Sequence, residues 1–245
     1  MDKKYLTYLG IALIFSISLV ISSIFISNGI ASIKQKQNTI IVTGSAKKQI
    51  KSDLIKWTGS FSAQAKDLKE AYKILKDSQE KVREYLLSKG INEKDMIFSS
   101  IVTMTNYEIL PNGMQSTKIE SYRLSQTIEI TSNDVDELTK ISREATELIN
   151  LGVQFESYPP QYYYTKIADL KVDMLGLATK DAMQRAEQIA KNTGIKIGKL
   201  KSAKMGVFQI TAPYSTEVSD YGIFDTMSIN KEITAVVNCE FEIKD

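Results

Sequence analysis

The sequence predicts an α+β fold, with antiparallel sheets and about three packed helices, preceded by one N-terminal transmembrane helix. This prediction comes from a long uncharged apolar run near the N-terminus, from segments in which apolar and polar residues alternate, and from segments with apolar residues at helical spacing. Strand and helix patterns follow one another without a long flexible linker. We therefore expect one compact unit over residues 39–245, with two lobes that divide near residue 132.

The N-terminal run contains no charged residue from Tyr5 to Ile33. About twenty apolar residues in a helix cross a hydrocarbon core of about 30 Å. The serines in this run are tolerated because a serine hydroxyl can donate to a backbone carbonyl one turn back. Lys3 and Lys4 precede the run, and positive charge favours the cytoplasmic side of a membrane. Residues 1–33 are therefore predicted to anchor the chain in the lipid bilayer of the cell membrane, with the C-terminal domain outside the cytoplasm.

A cleaved signal peptide is the alternative for the same segment, with Gly29-Ile30-Ala31 as the cleavage motif. The apolar core of a signal peptide has about 7–15 residues, and the longer run seen here favours the uncleaved anchor. Cleavage would release a secreted or periplasmic protein. Residues 34–38 are polar and are interpreted as a linker to the folded domain.

Two strands and a helix are predicted after the linker. Residues 39–46 are rich in β-branched side chains, and Gly44 within them permits a bend or the close approach of another backbone. Residues 55–65 alternate apolar and polar side chains, as a strand with one buried face does. Asp67 is typical of a helix N-cap, and the apolar stripe that follows ends at Gly90, which favours a left-handed helix stop.

The middle of the chain predicts a hairpin and a second helix. Strands at 96–109 and 118–131 flank the turn sequence Pro111-Asn112-Gly113. A helix from about residue 133 to residue 150 begins with acidic residues, which complement the helix dipole and need no catalytic explanation. Residues 152–164 are predicted to be extended.

The longest helix is predicted over residues 166–192, with a stop at Gly194. Its apolar positions are rich in alanine, which lets a helix lie close against a sheet. Strands at 197–210 and 229–243 close the chain, and a polar loop over 211–227 joins them. Because hairpins and helices are segregated along the chain, the sheets are expected to be antiparallel.

The composition excludes several kinds of catalytic and metal site. The chain has 245 residues, no histidine, one cysteine and a formal net charge of +2. Without histidine there is no Ser-His-Asp triad and no His-ligated metal, and one cysteine forms neither an internal disulfide nor a Cys-rich metal site. Near-neutral charge gives no indication of nucleic-acid binding, and no cofactor motif is found. Cys239 is one of the alternate residues of the last strand that are apolar and face the core, so an inert buried thiol is expected.

Four tyrosines form the densest aromatic group of the sequence: Tyr158, Tyr162, Tyr163 and Tyr164, interrupted by Pro159-Pro160. Clustered tyrosines offer apolar area with a polar tip, which makes them candidates for a contact surface. The alternative is an edge strand that the prolines break, in which the tyrosines are alternately packed and exposed.

Three carboxylates in the loop before the last strand, Glu217, Asp220 and Asp225, are candidates for calcium ligands, because Ca²⁺ prefers oxygen ligands. Their spacing matches no calcium loop that we can name, and a solvated loop is the alternative. No metal or cofactor is therefore predicted.

Several segments follow one another in an informative order. They are Ile40–Ala46, Asp53, Ser121-Tyr122-Arg123, Arg185-Ala186, Gly194–Lys199 and Glu232–Val236. Together they resemble the SIMPL-domain family of bacterial envelope proteins, whose function is largely unknown, although Ser52 stands where the family commonly has proline. The resemblance covers about residues 38–245. It implies an α+β domain outside the cytoplasmic membrane and, in several relatives, self-association, and it supplies no catalytic residues.

These observations together predict a non-enzymatic protein of the cell envelope that acts through self-assembly, as a homo-oligomer, or through contacts with other envelope proteins. A sensor or binding module for a small ligand or an envelope polymer is the second hypothesis, using the tyrosine group or the late loop. A carboxylate-dependent hydrolase is the third, because paired catalytic acids need not be close in sequence.

Overall fold

The structure is a computed structural model that describes residues 13–27 and 38–244. Residues 13–27 form a helix, α1, whose side chains are all exposed. Two of its serine hydroxyls donate to backbone carbonyls three residues earlier, at 2.9 and 2.8 Å. Within the described ranges, no helix combines the length and the hydropathy needed to span a membrane. The predicted anchor over residues 1–33 and its cleavage motif extend beyond the described residues.

The strands have the following bounds: β1 Thr39–Lys51, β2 Leu54–Ala65, β3 Met96–Phe98, β4 Val102–Ile109, β5 Gln115–Ser132, β6 Gln154–Ser157, β7 Gln161–Tyr163, β8 Lys196–Met205, β9 Gln209–Thr211, β10 Ile223–Phe224 and β11 Asn230–Lys244. The helices after α1 are α2 Leu68–Ser88, α3 Val135–Glu144 and α4 Ile167–Thr193, with short 3-10 helices at Glu93–Asp95 and Ala145–Leu151. The predicted α+β class is confirmed.

The helix ends follow the capping residues predicted from the sequence. The Asp67 carboxylate accepts hydrogen bonds from the N–H groups of Lys69 and Glu70, at 2.9 and 3.1 Å, and so caps α2. Gly90 follows α2 with a φ of 86°, and Gly194 follows α4 with a φ of 78°. Both glycines therefore adopt the left-handed conformation that stops a helix.

Two predicted strands are each divided in the structure. The segment 96–109 leaves the sheet at Ser99, whose carbonyl accepts from Gln126 Nε2 at 2.7 Å and whose hydroxyl accepts from the Thr127 N–H at 3.1 Å. The Ser99 N–H still donates to the Thr127 carbonyl at 3.0 Å, but the Ser99 carbonyl binds a side chain, and the chain rejoins the sheet as β4 at Val102. The segment 197–210 is also divided, into β8, which ends at Met205, and β9, which begins at Gln209.

The chain forms two compact units. The first unit comprises the described residues up to Ala46, Leu175–Gly206 and the residues from Ala235 onward, and the second comprises Lys47–Met174 and Val207–Thr234. The predicted division near residue 132 falls inside the second unit. The reason is that β2 pairs with β5 and also with β6 and β7, so segments before and after residue 132 share one sheet.

The second unit contains a six-stranded antiparallel sheet with the order β3-β5-β2-β6, in which β4 also pairs with β5 and β7 also pairs with β2. One face of this sheet packs against α2 and α3. The core residues Trp57, Phe61, Ile128 and Leu138 are at most 1% exposed. The Trp57 indole N–H donates to Ser157 Oγ at 3.0 Å, which satisfies the one polar group of this large side chain. The opposite face of the sheet carries polar side chains.

A second sheet contains β1, β8, β9, β10 and β11, with the order β1-β11-β9-β10 and with β8 also paired to β11. The expectation of purely antiparallel sheets is wrong at one position, because β10 runs parallel to β9, with Ile223 opposite Gln209. The loop between these two strands returns the chain to the same direction and ends at Gly222, which has a φ of 85°. Within β11 the predicted alternation is confirmed: Ile233, Ala235, Val237, Cys239 and Phe241 are buried.

In the first unit, α4 lies directly against β1. Four alanines of α4 spaced by four residues are buried: Ala178, Ala182, Ala186 and Ala190. A Cβ atom added to Gly44 would lie 2.1 Å from the Ala178 carbonyl oxygen and 2.4 Å from the Ala182 nitrogen. Backbone thus meets backbone, and the close approach predicted for Gly44 is confirmed.

A buried charged pair lies in the second unit, between Asp225, which precedes β11, and Lys231, the second residue of β11. Lys231 is 1% exposed; its Nζ donates to the Ser228 carbonyl at 2.5 Å and lies 3.9 Å from Asp225 Oδ2. Burial lowers the pKa of Lys231, and the Asp225 charge opposes that effect. Burial by itself would raise the pKa of Asp225, but hydrogen bonds from Ser228 and Met227 outweigh it, so the pKa lies below its ordinary value of 3.8. Asp225 is thus a structural residue, held by the turn that it caps.

Gly44→Ala is expected to lower the free energy of unfolding by about 2–3 kcal/mol, because the added methyl group meets helix backbone that has no room to move. Gly176→Ala is the matched control. Gly176 is exposed within α4 and nothing lies within 4 Å of its added Cβ, so alanine there should raise stability by about 1 kcal/mol. Denaturant unfolding of the full chain measures both; equal effects of the two substitutions would contradict the close contact at Gly44.

Asp225→Asn is expected to lower the free energy of unfolding at neutral pH by about 1–3 kcal/mol, because charge-assisted hydrogen bonds weaken and the buried Lys231 loses its counter-ion. Because the pKa of the Asp225 carboxyl is lower in the folded state, the ionised carboxylate stabilises the fold at pH values above 3.8, the ordinary pKa of the group. That stabilisation is lost as the pH falls through the folded-state pKa. The difference between wild type and variant should therefore shrink in acid. Asp220→Asn, at an exposed position of the same segment, is the control. A difference in unfolding free energy between wild type and Asp225→Asn that does not change with pH would contradict the structural role of the Asp225 carboxylate.

Candidate functional site

A groove crosses the face of the six-stranded sheet that lies opposite the core. It has a volume of about 640 Å³. Four strands supply its lining: Ser60 and Ser62 from β2, Val102 and Met104 from β4, Arg123 and Ser125 from β5, and Gln154 and Glu156 from β6. Ile149 and Tyr158 complete the rim. We call this the sheet-face groove; its floor is polar and its rims are apolar.

Two opposite charges lie in this groove without forming an ion pair with any described residue. Arg123 Nη2 donates to Ser62 Oγ at 3.4 Å, and the Ser62 hydroxyl donates to Gln154 Oε1 at 3.3 Å. Glu156 Oε2 accepts from the Tyr158 hydroxyl at 3.4 Å. These contacts are long and leave both charged groups open to solvent.

Elsewhere on the same face, the charged side chains neutralise each other. Lys56 Nζ and Glu129 Oε1 lie 2.8 Å apart on neighbouring strands, and the hydrogen bond to Glu129 raises the pKa of Lys56. The unpaired charges of the groove are therefore a property of the groove and not of the whole sheet face.

A carboxylate-dependent hydrolase requires two acids that face one another. Among the described residues, Glu156 is the one carboxylate that lines the sheet-face groove. The calcium candidates Glu217 and Asp220 are exposed, and Asp225 faces Lys231. Nowhere in the described part of the chain do three or more metal-ligating side chains come together.

The four tyrosines occupy different environments. Tyr158 lies at the groove rim and is 40% exposed, whereas Tyr162 is in the core, with its hydroxyl 3.2 Å from Thr139 Oγ1. Tyr163 and Tyr164 are half-buried. The two prolines lie between β6 and β7, which both pair with β2. A contact surface built from all four tyrosines stays a prediction, and Tyr162 offers it little area.

The outer edge of β1 is a second unusual surface, and it lies in the first unit. The Asn38 carbonyl accepts from the Ile243 N–H at 2.8 Å, so backbone groups of even-numbered residues face β11. Backbone groups of odd-numbered residues alternate to the opposite side. The Ser45 N–H on that side donates to Asp181 Oδ2 at 2.8 Å. We call the three outward-facing residues on the N-terminal side of Ser45, which are Thr39, Ile41 and Thr43, the β1 edge.

A groove of about 500 Å³ runs along the β1 edge, between Ile41–Thr43 and the α4 residues Arg185, Gln188, Ile189 and Asn192. The Ile41 side chain is 71% exposed. The Ser45 N–H and Arg185, which lies 2.8 Å from Asp181, together lower the pKa of the Asp181 carboxyl. Asp181 therefore stays ionised and closes the β1 edge at Ser45.

Sequence reasoning missed both of these surfaces as sites. The alternation in β5 placed Arg123 on the polar face of its strand, but nothing local indicates that Glu156 of β6 shares that face two strands away. Asp181 is 136 residues from Ser45 in the chain, and its acidic side chain on a helix carries no sign of a strand edge as partner.

Comparison with known proteins identifies a family and a relative. The model of the SIMPL family, described as a protein of unknown function (DUF541), matches residues 40–241. The uncharacterized protein YggE of Edwardsiella ictaluri (strain 93-146) is 23% identical over 175 residues, which cover 69% of this chain and 68% of YggE. The family match includes both compact units and confirms the resemblance drawn from the motifs. The chain belongs to the SIMPL family of proteins of unknown function.

Proposed function

We propose that this chain is a non-enzymatic, membrane-anchored protein of the cell envelope that acts through self-assembly, with the β1 edges of two copies paired. The observation that carries the proposal is the β1 edge itself. An edge strand presents unpaired N–H and C=O groups, and these are satisfied best by another strand. Three consecutive outward-facing residues, Thr39, Ile41 and Thr43, have no strand partner on this side among residues 13–27 and 38–244, and they lie next to a groove of about 500 Å³.

The β1 edge is self-complementary. Two antiparallel copies related by a two-fold axis at Ile41 place Ile41 opposite Ile41 and Thr39 opposite Thr43. These are an apolar pair and two threonine pairs, both of which stabilise antiparallel strands. All the outward-facing backbone groups between Thr39 and Thr43 then gain partners. The pairing ends at Ser45, because Asp181 already occupies its N–H.

Surfaces elsewhere on the chain support contacts with other envelope proteins. The hairpin of β4 and β5 carries a group of large exposed apolar side chains near its turn: Ile109, Leu110, Met114 and Ile119. Exposed apolar groups of this kind mark contact sites with proteins or membranes.

The anchor is supported by the character of α1. Its apolar side chains are exposed on all sides, so the described part of the chain offers this helix no packing partner. A helix that is apolar all round is buried in a larger core or in a membrane. Lys3 and Lys4 precede the apolar run in the sequence, and their positive charge favours a cytoplasmic N-terminus with the folded domain outside the cytoplasm.

Ile41→Cys tests the pairing directly. Opposed residues of an antiparallel pair have Cα atoms about 5.5 Å apart, which is within the range of a disulfide. Cys239 is buried, so the new thiol is the accessible one, and mild oxidation of the full chain in detergent should give a covalent dimer on a non-reducing gel. Val218→Cys, at an 80% exposed position outside β1, is the control and should stay monomeric on the gel.

Light scattering of the wild-type chain in detergent measures its oligomeric state and distinguishes two explanations for a missing Ile41→Cys cross-link. A monomer at high concentration would overturn self-assembly altogether. An oligomer without the Ile41 cross-link would leave self-assembly standing and overturn the β1 edge as its interface.

The anchor is tested by alkaline carbonate extraction of membranes from cells that express the chain. The full chain should stay in the membrane pellet, whereas a variant that lacks residues 1–33 should be soluble, because the apolar run is its only predicted attachment. Mass spectrometry of the intact protein is the second measurement. Loss of the segment up to Ala31 from the mature protein would contradict the anchor and favour the signal peptide.

A further inference from the structure

The sheet-face groove has the size and the mixture of polar and apolar groups of a small-ligand site. Its volume of about 640 Å³ lies within the range of about 300–1,000 Å³ that is usual for ligand sites. Its apolar rim residues are unusually exposed for their type: Val102 and Met104 are 60% exposed and Ile149 is 56% exposed. A ligand with apolar side groups would cover them.

The two charged groups of the groove are set apart by a definable distance. Arg123 is opposite Gln64, and Glu156 is opposite Ser60, on the two sides of β2. The Arg123 side chain reaches back to Ser62, which leaves its guanidinium two residues along β2 from Glu156. With a rise of about 3.4 Å per residue and a strand spacing of about 4.8 Å, the two charges lie roughly 10 Å apart.

The signs of these charges select among ligands. A simple anion would be attracted by Arg123 and repelled by Glu156, and a simple cation would experience the reverse. A ligand with a negative group at one end and a positive group at the other satisfies both charges. An extended peptide spans about 3.3–3.6 Å per residue, so about three residues separate a free amino group from a free carboxylate by the required distance.

The floor between the charges suits a peptide backbone. The hydroxyls of Ser60 and Ser125 make no hydrogen bond within the described residues, and the Gln154 side chain lines the same groove, where its Oε1 accepts from the Ser62 hydroxyl. Hydroxyls and side-chain amides both donate and accept, as the alternating N–H and C=O groups of a peptide require. The apolar rims of the groove contact the side chains of the peptide and do not favour a charge on them.

We propose that the sheet-face groove binds a short peptide of about three residues with free ends, its carboxylate on Arg123 and its ammonium group on Glu156. This binding is independent of self-assembly, because the groove and the β1 edge have no residue in common. The charged ends set length and direction, and the rims favour apolar side chains. The ligands of the groove are thus small peptides, which it recognises by their charged termini and their backbone.

The test is calorimetric titration of the full chain in detergent with trialanine, N-acetyl-trialanine and trialanine amide. Trialanine should bind, and blocking either end should weaken binding about tenfold or more, because a charge-assisted hydrogen bond is lost. Acetylation should no longer matter in Glu156→Gln, and amidation should no longer matter in Arg123→Gln. This crossed pattern assigns each end of the peptide to one side chain.

Glu129→Gln is the matched control, because Glu129 lies on the same sheet face outside the groove and should behave as wild type. Arg123 and Glu156 are exposed, so unchanged unfolding midpoints are expected and exclude a folding defect. No binding of trialanine at millimolar concentration would overturn the proposal. Equal sensitivity of wild type and both groove variants to the blocked ends would overturn it as well, and neither result bears on oligomeric state.

Discussion

The contact between α4 and β1 at Gly44 is the constraint on which the first unit depends. Only a residue without a Cβ lets the Ala178 carbonyl and the Ala182 nitrogen come so close to a strand. The alanine stripe of α4 follows from this distance, because larger side chains would lift the helix. At this distance Asp181 reaches the Ser45 N–H and closes the strand edge there. The point at which the β1 edge ends, Ser45, thus depends on the close approach that Gly44 permits.

The second unit is organised by a different constraint, the one-sided burial of its sheet. Apolar side chains of β2 and β5 point to α2 and α3, and Trp57 and Phe61 fill that core. The pleat then requires the intervening residues to face the other way, which leaves serines, Arg123 and Glu156 on a common polar face. The sheet-face groove therefore lies where packing makes no demand on side-chain identity. The neighbouring Lys56–Glu129 pair indicates how such charges behave when they are free to neutralise each other.

Local signals in the sequence predicted most elements well, and the misses have physical causes. The ends of α2 and α4 follow from Asp67, Gly90 and Gly194, because capping depends on residues within one turn. The break at Ser99 was missed because its partners belong to β5, which the chain reaches only after the hairpin turn. The role of Asp225 was missed for a similar reason. The sequence indicated either a calcium ligand or a residue of a solvated loop, whereas its position opposite a buried lysine depends on the fold.

The sequence by itself determined the α+β class, the alternation that buries Cys239, the apolar N-terminal run and the family, because periodicity, caps and motif order are properties of neighbouring residues. Only the tertiary structure decided which distant residues meet. It placed Arg123 and Glu156 on two sides of β2, sent Tyr162 into the core while Tyr158 stayed at the rim, and brought Asp181 to the edge of β1. Strand pairing and helix docking bring together residues that are in some cases more than a hundred positions apart in the sequence, and no local pattern encodes such contacts.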